Sequence, residues 1–321
     1  MKSFSGFLRR NRTEFSVLLA FLALLFFFII ANPKVFLSPQ CYSAVFVTLP
    51  LTLILTTAMV FMIVSGEIDL SFPSVVGLGS FVFAFIFHKT GSPLLALLVA
   101  LLAGLLVGIF NGLLVARIGL SSLVATIGVN FLIRGAIMIA TQGYGSPLVA
   151  LKDTLFHKVF VGKIGLFPVQ MLWGIGFVVG SWLIFNRHKF GAHVGFVGDN
   201  LQAARMMGIN VERVKTSCFM LVGLSAAFVG VLVDLINLTF WPTAGDGYLL
   251  VILSAIFLGG TPTWGGVGTI IGAAIGALIL SFIETGIIAS GLTGFYTQFF
   301  YGLILIVALI SHKLGGPSRA K

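Results

Sequence analysis

Ionisable side chains are scarce in this 321-residue chain, and a few of them stand inside or beside long apolar stretches. Glu67 and Asp69 lie two residues apart in the motif SGEIDLS at 65–71. Arg134 lies within an apolar run, and Glu284 follows a glycine-rich one. A charge at membrane depth is costly unless it is paired or hydrated, so such residues mark substrate or ion pathways. The chemistry they suggest is that of a gate or an ion-coupling site.

The SGEIDLS motif has two interpretations. Gly66 and Pro73 flank its acidic pair and favour broken helix geometry, which at membrane depth must be buried in protein or line a cavity. On this interpretation Gly66, Glu67 and Asp69 belong to a gate or pathway near the inner half of the membrane. The alternative is an ordinary inner turn in which Asp69 caps the next helix.

Arg134 needs a counter-charge if it is buried in the membrane. We expect it to pair with Glu67, Asp69 or Glu284; the alternative is an arginine that extends its guanidinium to the membrane surface.

Three further acidic residues lie toward the predicted outer side. Glu284 is a candidate pathway residue, because it follows a run of small residues within a span. Asp234 and Asp246 fall at the outer end of a span and in an outer loop, and both are expected to be solvated.

No enzymatic site is visible. The phosphate-binding pattern needs glycine, four residues and then Gly-Lys-Ser/Thr, whereas Gly162-Lys163 is followed by Ile164. The five histidines are scattered, and no Ser/His/Asp set or metal-ligand spacing can be argued. We therefore expect no catalytic residue, cofactor or metal.

The elements that must position these residues are apolar helices. The chain is 58% hydrophobic and 9% charged, with a mean hydropathy of +1.13. About 20 apolar residues span a bilayer as a helix. We predict an all-α integral membrane protein that forms one transmembrane domain over 1–321. The ten predicted spans are 15–31, 44–64, 73–88, 93–116, 122–140, 170–186, 216–237, 248–258, 267–289 and 295–311.

The distribution of positive charge predicts the orientation. With both termini in the cytoplasm, thirteen of the 19 lysines and arginines fall in inner segments and five in outer segments, while Arg134 lies within a span. This is the asymmetry expected of a multi-pass protein. The net charge of +10 is thus attributed to cytoplasmic loops and not to nucleic-acid binding.

Two spans carry glycine at every fourth position, which favours close helix packing or, less often, a pathway lining. The glycines are Gly104, Gly108 and Gly112 in the fourth span and Gly268, Gly272 and Gly276 in the ninth. These spans would correspond if spans 2–5 and 7–10 formed an inverted repeat, an arrangement common in transporters.

The longest predicted cytoplasmic segment, about 187–215, contains a short helix signal. Asp199 or Asn200 can cap a helix over 201–207, and Gly208 can end it. Such a helix parallel to the membrane offers a surface to a soluble protein; the alternative is a plain amphipathic connector.

This segment resembles the coupling region of bacterial sugar-type ABC importer permeases. The matching residues are Phe190-Gly191, Gly198, Asn200, Ala203-Ala204-Arg205, Gly208-Ile209-Asn210 and Val214-Lys215. The resemblance continues through SGEIDLS, through NGLLVAR at 111–117, through Arg134-Gly135, and through the turn motifs at 242–248 and 258–268.

The resemblance implies a permease subunit in a bacterial inner membrane that does not itself hydrolyse ATP. Its implied partners are a cytoplasmic ATPase, a periplasmic or lipid-anchored substrate-binding protein, a second permease copy or a related permease, and membrane lipid. The implied ATPase-coupling residues are Asp199, Asn200, Ala203, Ala204, Arg205, Gly208 and Ile209.

Two departures from the family pattern leave the solute open. Glu67 replaces a small residue, and 249–252 is apolar where the family usually has acidic residues. A monosaccharide is the family's commonest cargo, but nucleosides, vitamins and furanone signals are alternatives. A second class of function is an ion-coupled secondary transporter in which Glu67, Asp69 and Arg134 form the ion site.

Overall fold

The computed structural model describes residues 12–292 and 294–315, and helices dominate this part of the chain. The basic termini, including Lys2, Arg9, Arg10, Arg319 and Lys321, lie outside the described residues. The helices in chain order are α1 (Arg12–Ala31), α2 (Pro33–Phe36), α3 (Pro39–Val64), α4 (Phe72–Thr90), α5 (Pro93–Gly112), α6 (Ser122–Thr141), α7 (Leu155–Val161), α8 (Gln170–Arg187), α9 (Lys189–Asp199), α10 (Leu201–Met206), α11 (Val211–Asn237), α12 (Tyr248–Leu258), α13 (Ile270–Ala289) and α14 (Phe295–Gly315).

Short elements complete the described chain. A π-helical turn, Leu113–Arg117, extends α5, and a 3-10 turn covers Val149–Leu151. The strands are β1 (Ser146–Pro147), β2 (Lys163–Ile164), β3 (Phe167–Pro168) and β4 (Thr239–Phe240). They form two antiparallel pairs, β1 with β4 and β2 with β3, which tie loops together at the helix ends.

The all-helical membrane architecture is confirmed. Seven described helices are long and apolar enough to cross a membrane: α1, α3, α4, α5 with its π-helical extension, α6, α11 and α13. The remaining predicted spans coincide with α8, α12 and α14. With 11 residues, α12 is only about 16 Å long, whereas the hydrocarbon core is about 30 Å thick. The count of ten spans stays a prediction.

Two helices form the centre of the molecule. Eighteen-residue windows of α3 and α11 are 89% and 72% buried, against 6% for α1. No charged residue occurs in α3, which is typical of a helix enclosed by other helices. The helices α3 and α11 pack against each other; α4 and α5 pack on α11, and α13 packs on α3.

The neighbours of each helix support the predicted repeat. Within the first set, α4 packs on α5 and α6; within the second, α12 packs on α13 and α14 in the same way. Across the sets, α11 packs on α5 as α3 packs on α13. The glycine ladders, however, face helices that are not equivalent. A β-carbon on Gly104 would lie 2.4 Å from the Gly223 oxygen of α11, whereas one on Gly276 would lie 2.1 Å from the Ala255 oxygen of α12.

Candidate functional site

The segment between α3 and α4, residues 65–71, is called here the acidic connector. Asp69 lies in it with 1% of its surface exposed. Its Oδ1 accepts hydrogen bonds from the Ser71 backbone N–H at 2.7 Å and from the Ser71 hydroxyl at 2.6 Å. Asn111 Nδ2 of α5 donates to the same hydroxyl at 2.7 Å. Burial raises the pKa of the Asp69 carboxyl, and these hydrogen bonds oppose the rise. Asp69 therefore orders the entry into α4 from a buried position.

Glu67 ties the acidic connector to α11. Its Oε1 lies 2.5 Å from Lys215 Nζ, and the two side chains are only 15% and 14% exposed. The connector backbone is also held by α6, because Leu70 N–H donates to Thr126 Oγ1 at 2.9 Å. Contacts from α6 and from the distant α11 thus fix one short loop.

Three glycine-containing segments meet where α3 ends: the end of α9, the acidic connector and the turn before α13. We call this meeting point the glycine junction. Gly266 N–H donates to the Val64 carbonyl at 2.8 Å. A β-carbon on Gly198 would lie 1.7 Å from that carbonyl oxygen, and one on Gly265 would lie 3.1 Å from Gly66 Cα. Since side chains are excluded there, α9, the acidic connector and the turn before α13 touch backbone to backbone.

The predicted coupling residues lie on α9, α10 and the turn that follows. Asn200 is the cap of α10, because its Oδ1 accepts from the N–H groups of Gln202 and Ala203 at 3.0 Å. The helix ends at Met206, one residue earlier than predicted, and Gly208 follows in the left-handed conformation (φ +78°).

The surface of this segment is mixed. Ala203 and Arg205 are exposed, Ala204 is fully buried, and Ile209 is half-buried. Asp199, the last residue of α9, packs beside Gly266 of the glycine junction. Exposed and junction-facing residues therefore alternate within a few positions.

Arg134 binds the segment between α11 and α12, residues 238–247, which we call the outer connector. Its guanidinium donates to the carbonyl oxygens of Pro242 at 2.5 Å and of Ala244 at 3.1 and 3.2 Å. It also pairs with Asp246 Oδ1 at 2.6 Å. The arginine side chain is 16% exposed and that of Asp246 is 60% exposed. We call this set of contacts the Arg134 latch.

The predicted pairing of Arg134 with Glu67, Asp69 or Glu284 is wrong. The physical reason is the depth of the outer connector, which folds back onto the first turns of α4. A β-carbon on Gly245 would lie 2.0 Å from the Pro73 oxygen. The acidic connector and the outer connector therefore converge on the same helix start.

The other acidic residues also have local partners. Tyr301 hydroxyl donates to Glu284 Oε2 at 3.1 Å, away from the acidic connector. The expectation that Asp234 is solvated is wrong: it is fully buried, and the Ser80 hydroxyl of α4 donates to its Oδ1. In residues 12–292 and 294–315, no three His, Cys, Asp or Glu side chains gather where they could hold a metal ion.

Sequence reasoning missed the polar residues that complete these sites. Lys215, Asn111 and Ser71 each bind a residue that the sequence did single out. The sequence places Lys215 in the predicted cytoplasmic segment and in the motif Val214-Lys215, and its distance from Glu67 along the chain concealed the pair. The one available signal was that a buried Glu67 needs a cation.

Replacing Arg134 with methionine is expected to loosen the outer connector. The loss of charge-assisted hydrogen bonds to two carbonyls should speed amide hydrogen exchange over 242–247 by about tenfold or more. Exchange measured by mass spectrometry tests this. Arg187→Met, which removes an exposed arginine at the end of α8, is the matched control; equal exchange in the two variants would refute the latch.

Fold and site together define a multi-pass membrane protein in which an exposed helical segment touches the ends of buried, irregular connectors. The chain belongs to the family described as branched-chain amino acid transport system / permease component, whose sequence profile matches residues 41–309. It is thus a permease component of a transport system.

Individual relatives cover most of the chain. It is 33% identical over 255 residues to the ribose import permease protein of Bacillus subtilis, covering 78% of each chain. It is 32% identical over 309 residues to an autoinducer 2 import system permease protein of Enterobacter, covering 94% of this chain and 87% of the relative. It is 30% identical over 279 residues to the L-arabinose ABC transporter permease protein of Azospirillum brasilense, covering 86% and 80%. No solved structure matches the chain.

Proposed function

We propose that this chain is the membrane permease of an ATP-binding-cassette importer for a small sugar-like solute, most simply a monosaccharide. In this proposal, the permease does not itself hydrolyse ATP. A separate cytoplasmic ATPase supplies the energy by pressing on α9 and α10, the coupling segment within about 187–215.

The glycine junction is the observation that carries this proposal. The exposed coupling segment and the end of the buried α3 are in backbone contact through Gly198, Gly266 and Val64. Close-packed backbones transmit displacement without the slack of flexible side chains. A force on α10 would therefore reach the acidic connector directly.

The route continues toward the outer connector. Movement of the acidic connector shifts the start of α4, because Asp69 and Ser71 lead into that helix. The start of α4 in turn supports the outer connector through Pro73 and Gly245. In the proposed cycle, ATP-driven closure of the ATPase moves the start of α4. Because both connectors contact this helix end, the movement changes the solute's access from the inner and from the outer side.

The solute class follows from the relatives, whose names include ribose and L-arabinose. The family description refers instead to branched-chain amino acids. We give more weight to the relatives, because each resembles the chain individually over most of its length.

The remaining assignments belong to the same proposal. The protein lies in a bacterial inner membrane with both termini in the cytoplasm and forms one permease domain. A second copy or a related permease completes the pathway, and a periplasmic or lipid-anchored binding protein delivers the solute to the outer side.

An ion-coupled secondary transporter finds less support in the geometry. Glu67, Asp69 and Arg134 would have to form one ion site. Instead Glu67 is paired with Lys215, and Arg134 is paired with Asp246. Asp69 is bonded to Ser71.

Met206 offers a test of ATPase docking that spares the fold. It ends α10 with 87% of its surface exposed. Met206→Asp should leave membrane insertion intact but lower ATPase stimulation and solute uptake by about tenfold, because a desolvated carboxylate in the interface is unpaired. Met206→Leu is the control. The assay uses proteoliposomes containing the permease, its co-purified ATPase and its binding protein.

Two outcomes would contradict the proposal. If Met206→Asp supports normal ATP-driven uptake, α10 is not the docking element. If the purified chain carries no ATPase and transports solute with an ion gradient alone, the secondary transporter replaces the importer.

A further inference from the structure

A cavity of about 340 Å³ with a mixed polar and apolar lining lies between α3, the outer connector, α12, α13 and α14. Its lining includes Thr48, Asp246, Tyr248, Glu284, Gln298 and Tyr301. The volume is at the small end of the range of about 300–1,000 Å³ typical of ligand pockets. The cavity therefore suits a solute of a few polar groups.

Glu284 shows that this cavity does not face lipid. Its residue surface is exposed, although it lies within the apolar helix α13, in the last third of that helix. An exposed carboxylate in hydrocarbon is strongly disfavoured. Thr48 and Gln298, which line the same cavity, are also exposed and polar, and are therefore also disfavoured in hydrocarbon. The cavity must open to water, or to a second subunit across a hydrated pathway.

The charges in the cavity disfavour an anionic solute, because Glu284 has no cationic partner among the ion pairs of the described residues. Asp246 is compensated by Arg134 at 2.6 Å, and one oxygen of Glu284 accepts the Tyr301 hydroxyl. What remains available is a set of carboxylate, hydroxyl and amide groups that accept and donate hydrogen bonds.

Much of the remaining lining of the cavity is apolar and aromatic. Leu250 and Val251 of α12 contribute to it together with the rings of Tyr248 and Tyr301. A sugar presents both surfaces that this cavity complements, since its hydroxyls are polar and its C–H faces are apolar. A fully polar solute would leave the apolar wall without a contact.

We propose that this cavity is a solute site of the permease and that it binds one neutral polyhydroxylated molecule of monosaccharide size. Glu284 and Asp246 accept its hydroxyls, and the α12 wall contacts its apolar face. This inference rests on the proposed function. Because Asp246 also belongs to the Arg134 latch, a solute bound there competes with the contact that holds the outer connector.

A protection experiment tests the site without ATP or partner proteins. A cysteine at the cavity mouth, Gln298→Cys, is labelled with a maleimide in lipid nanodiscs; native Cys41 and Cys218 are buried. At concentrations about ten times the dissociation constant, D-ribose or L-arabinose should slow labelling by about tenfold. L-leucine and the cation putrescine should give no protection.

Variants identify the residues. Adding Glu284→Gln should raise the sugar concentration needed for protection by about tenfold or more, because a charge-assisted hydrogen bond is lost. Thr285→Val is the matched control, since Thr285 lies one residue away and bonds the Ser281 carbonyl of its own helix. Equal sensitivity of the two variants would overturn the assignment of Glu284.

The remaining outcomes separate the cavity from the importer proposal. If neither sugar protects while the wild-type complex imports sugar with ATP, the cavity proposal fails and the importer stands. Protection by putrescine or leucine alone overturns the polyhydroxylated solute. Sugar protection in a protein that shows no ATP-driven uptake supports the cavity and removes the ATP-driven mechanism.

Discussion

Gly198→Ala is expected to lower ATP-driven uptake by about tenfold or more, whereas Gly195→Ala should remain near wild type. The added β-carbon at 198 would lie 1.7 Å from the Val64 oxygen and 2.6 Å from the Gly266 nitrogen. Both neighbours are backbone atoms, so the segments must separate by about 1 Å. Overpacking of this kind costs about 1–3 kcal/mol. A β-carbon on Gly195 would lie 3.5 Å from its nearest neighbour, the Gly266 oxygen.

Three measurements identify the step that fails. Uptake and ATPase stimulation are measured in proteoliposomes, and co-purification reports whether the ATPase still binds. We expect Gly198→Ala to retain the ATPase, because the docking surface on α10 is unchanged. Uptake should be lost, because the added β-carbon breaks the backbone contact between α9 and the end of α3. Normal uptake by Gly198→Ala would show that the glycine junction does not transmit the movement.

The parts of this molecule that could be predicted are those determined by nearby residues. The apolar runs give the helices, and the polar cap with a following glycine gives α10 between Asn200 and Gly208. Each depends on interactions within one or two turns. Such signals do not require knowledge of which helices touch.

The parts that could not be predicted are pairings across the fold. Arg134 and Asp246 are separated by 112 positions, and Glu67 and Lys215 by 148. Several acidic residues were available to Arg134, and the sequence could not show that the outer connector folds back to it. The prediction that Asp234 is solvated was wrong for the same reason, since the burial of this residue depends on the packing of α4 on α11.

Glycine spacing was a sound indicator of packing but a poor guide to which helices touch. Both ladders exclude side chains from close helix contacts, as expected for small residues in membranes. The spacing carries no information about the helix on the other side. Consequently the glycine ladders give no support to the inverted repeat, whereas the equivalent helix neighbours in the two sets do.

The structure also accounts for one departure from the family pattern. Glu67 stands where the resembling permeases have a small residue, and a lone buried carboxylate there would be costly. Lys215 supplies the compensating charge from the start of α11. The acidic connector therefore carries an ion pair without needing a transported ion to neutralise it.

Breaking this ion pair is expected to destabilise the protein more than removing it. Lys215→Met leaves Glu67 unpaired with only 15% of its side chain exposed, at a cost of about 1–3 kcal/mol. The double variant Glu67→Gln/Lys215→Met removes both charges and should recover most of that loss. Uptake should follow the same order, because only Lys215→Met leaves an unpaired charge in the acidic connector.

A double-mutant cycle measures the coupling between the two residues. Unfolding of the wild type, both single variants and the double variant is followed in one detergent. The coupling free energy should reach about 1–3 kcal/mol, in the range seen for contacting residues. Glu212→Gln, an exposed change at the start of the same helix, should shift stability by less than about 0.5 kcal/mol. Additive single effects would mean that Glu67 and Lys215 act independently, and the acidic connector would then be held by its hydrogen bonds to α5 and α6 alone.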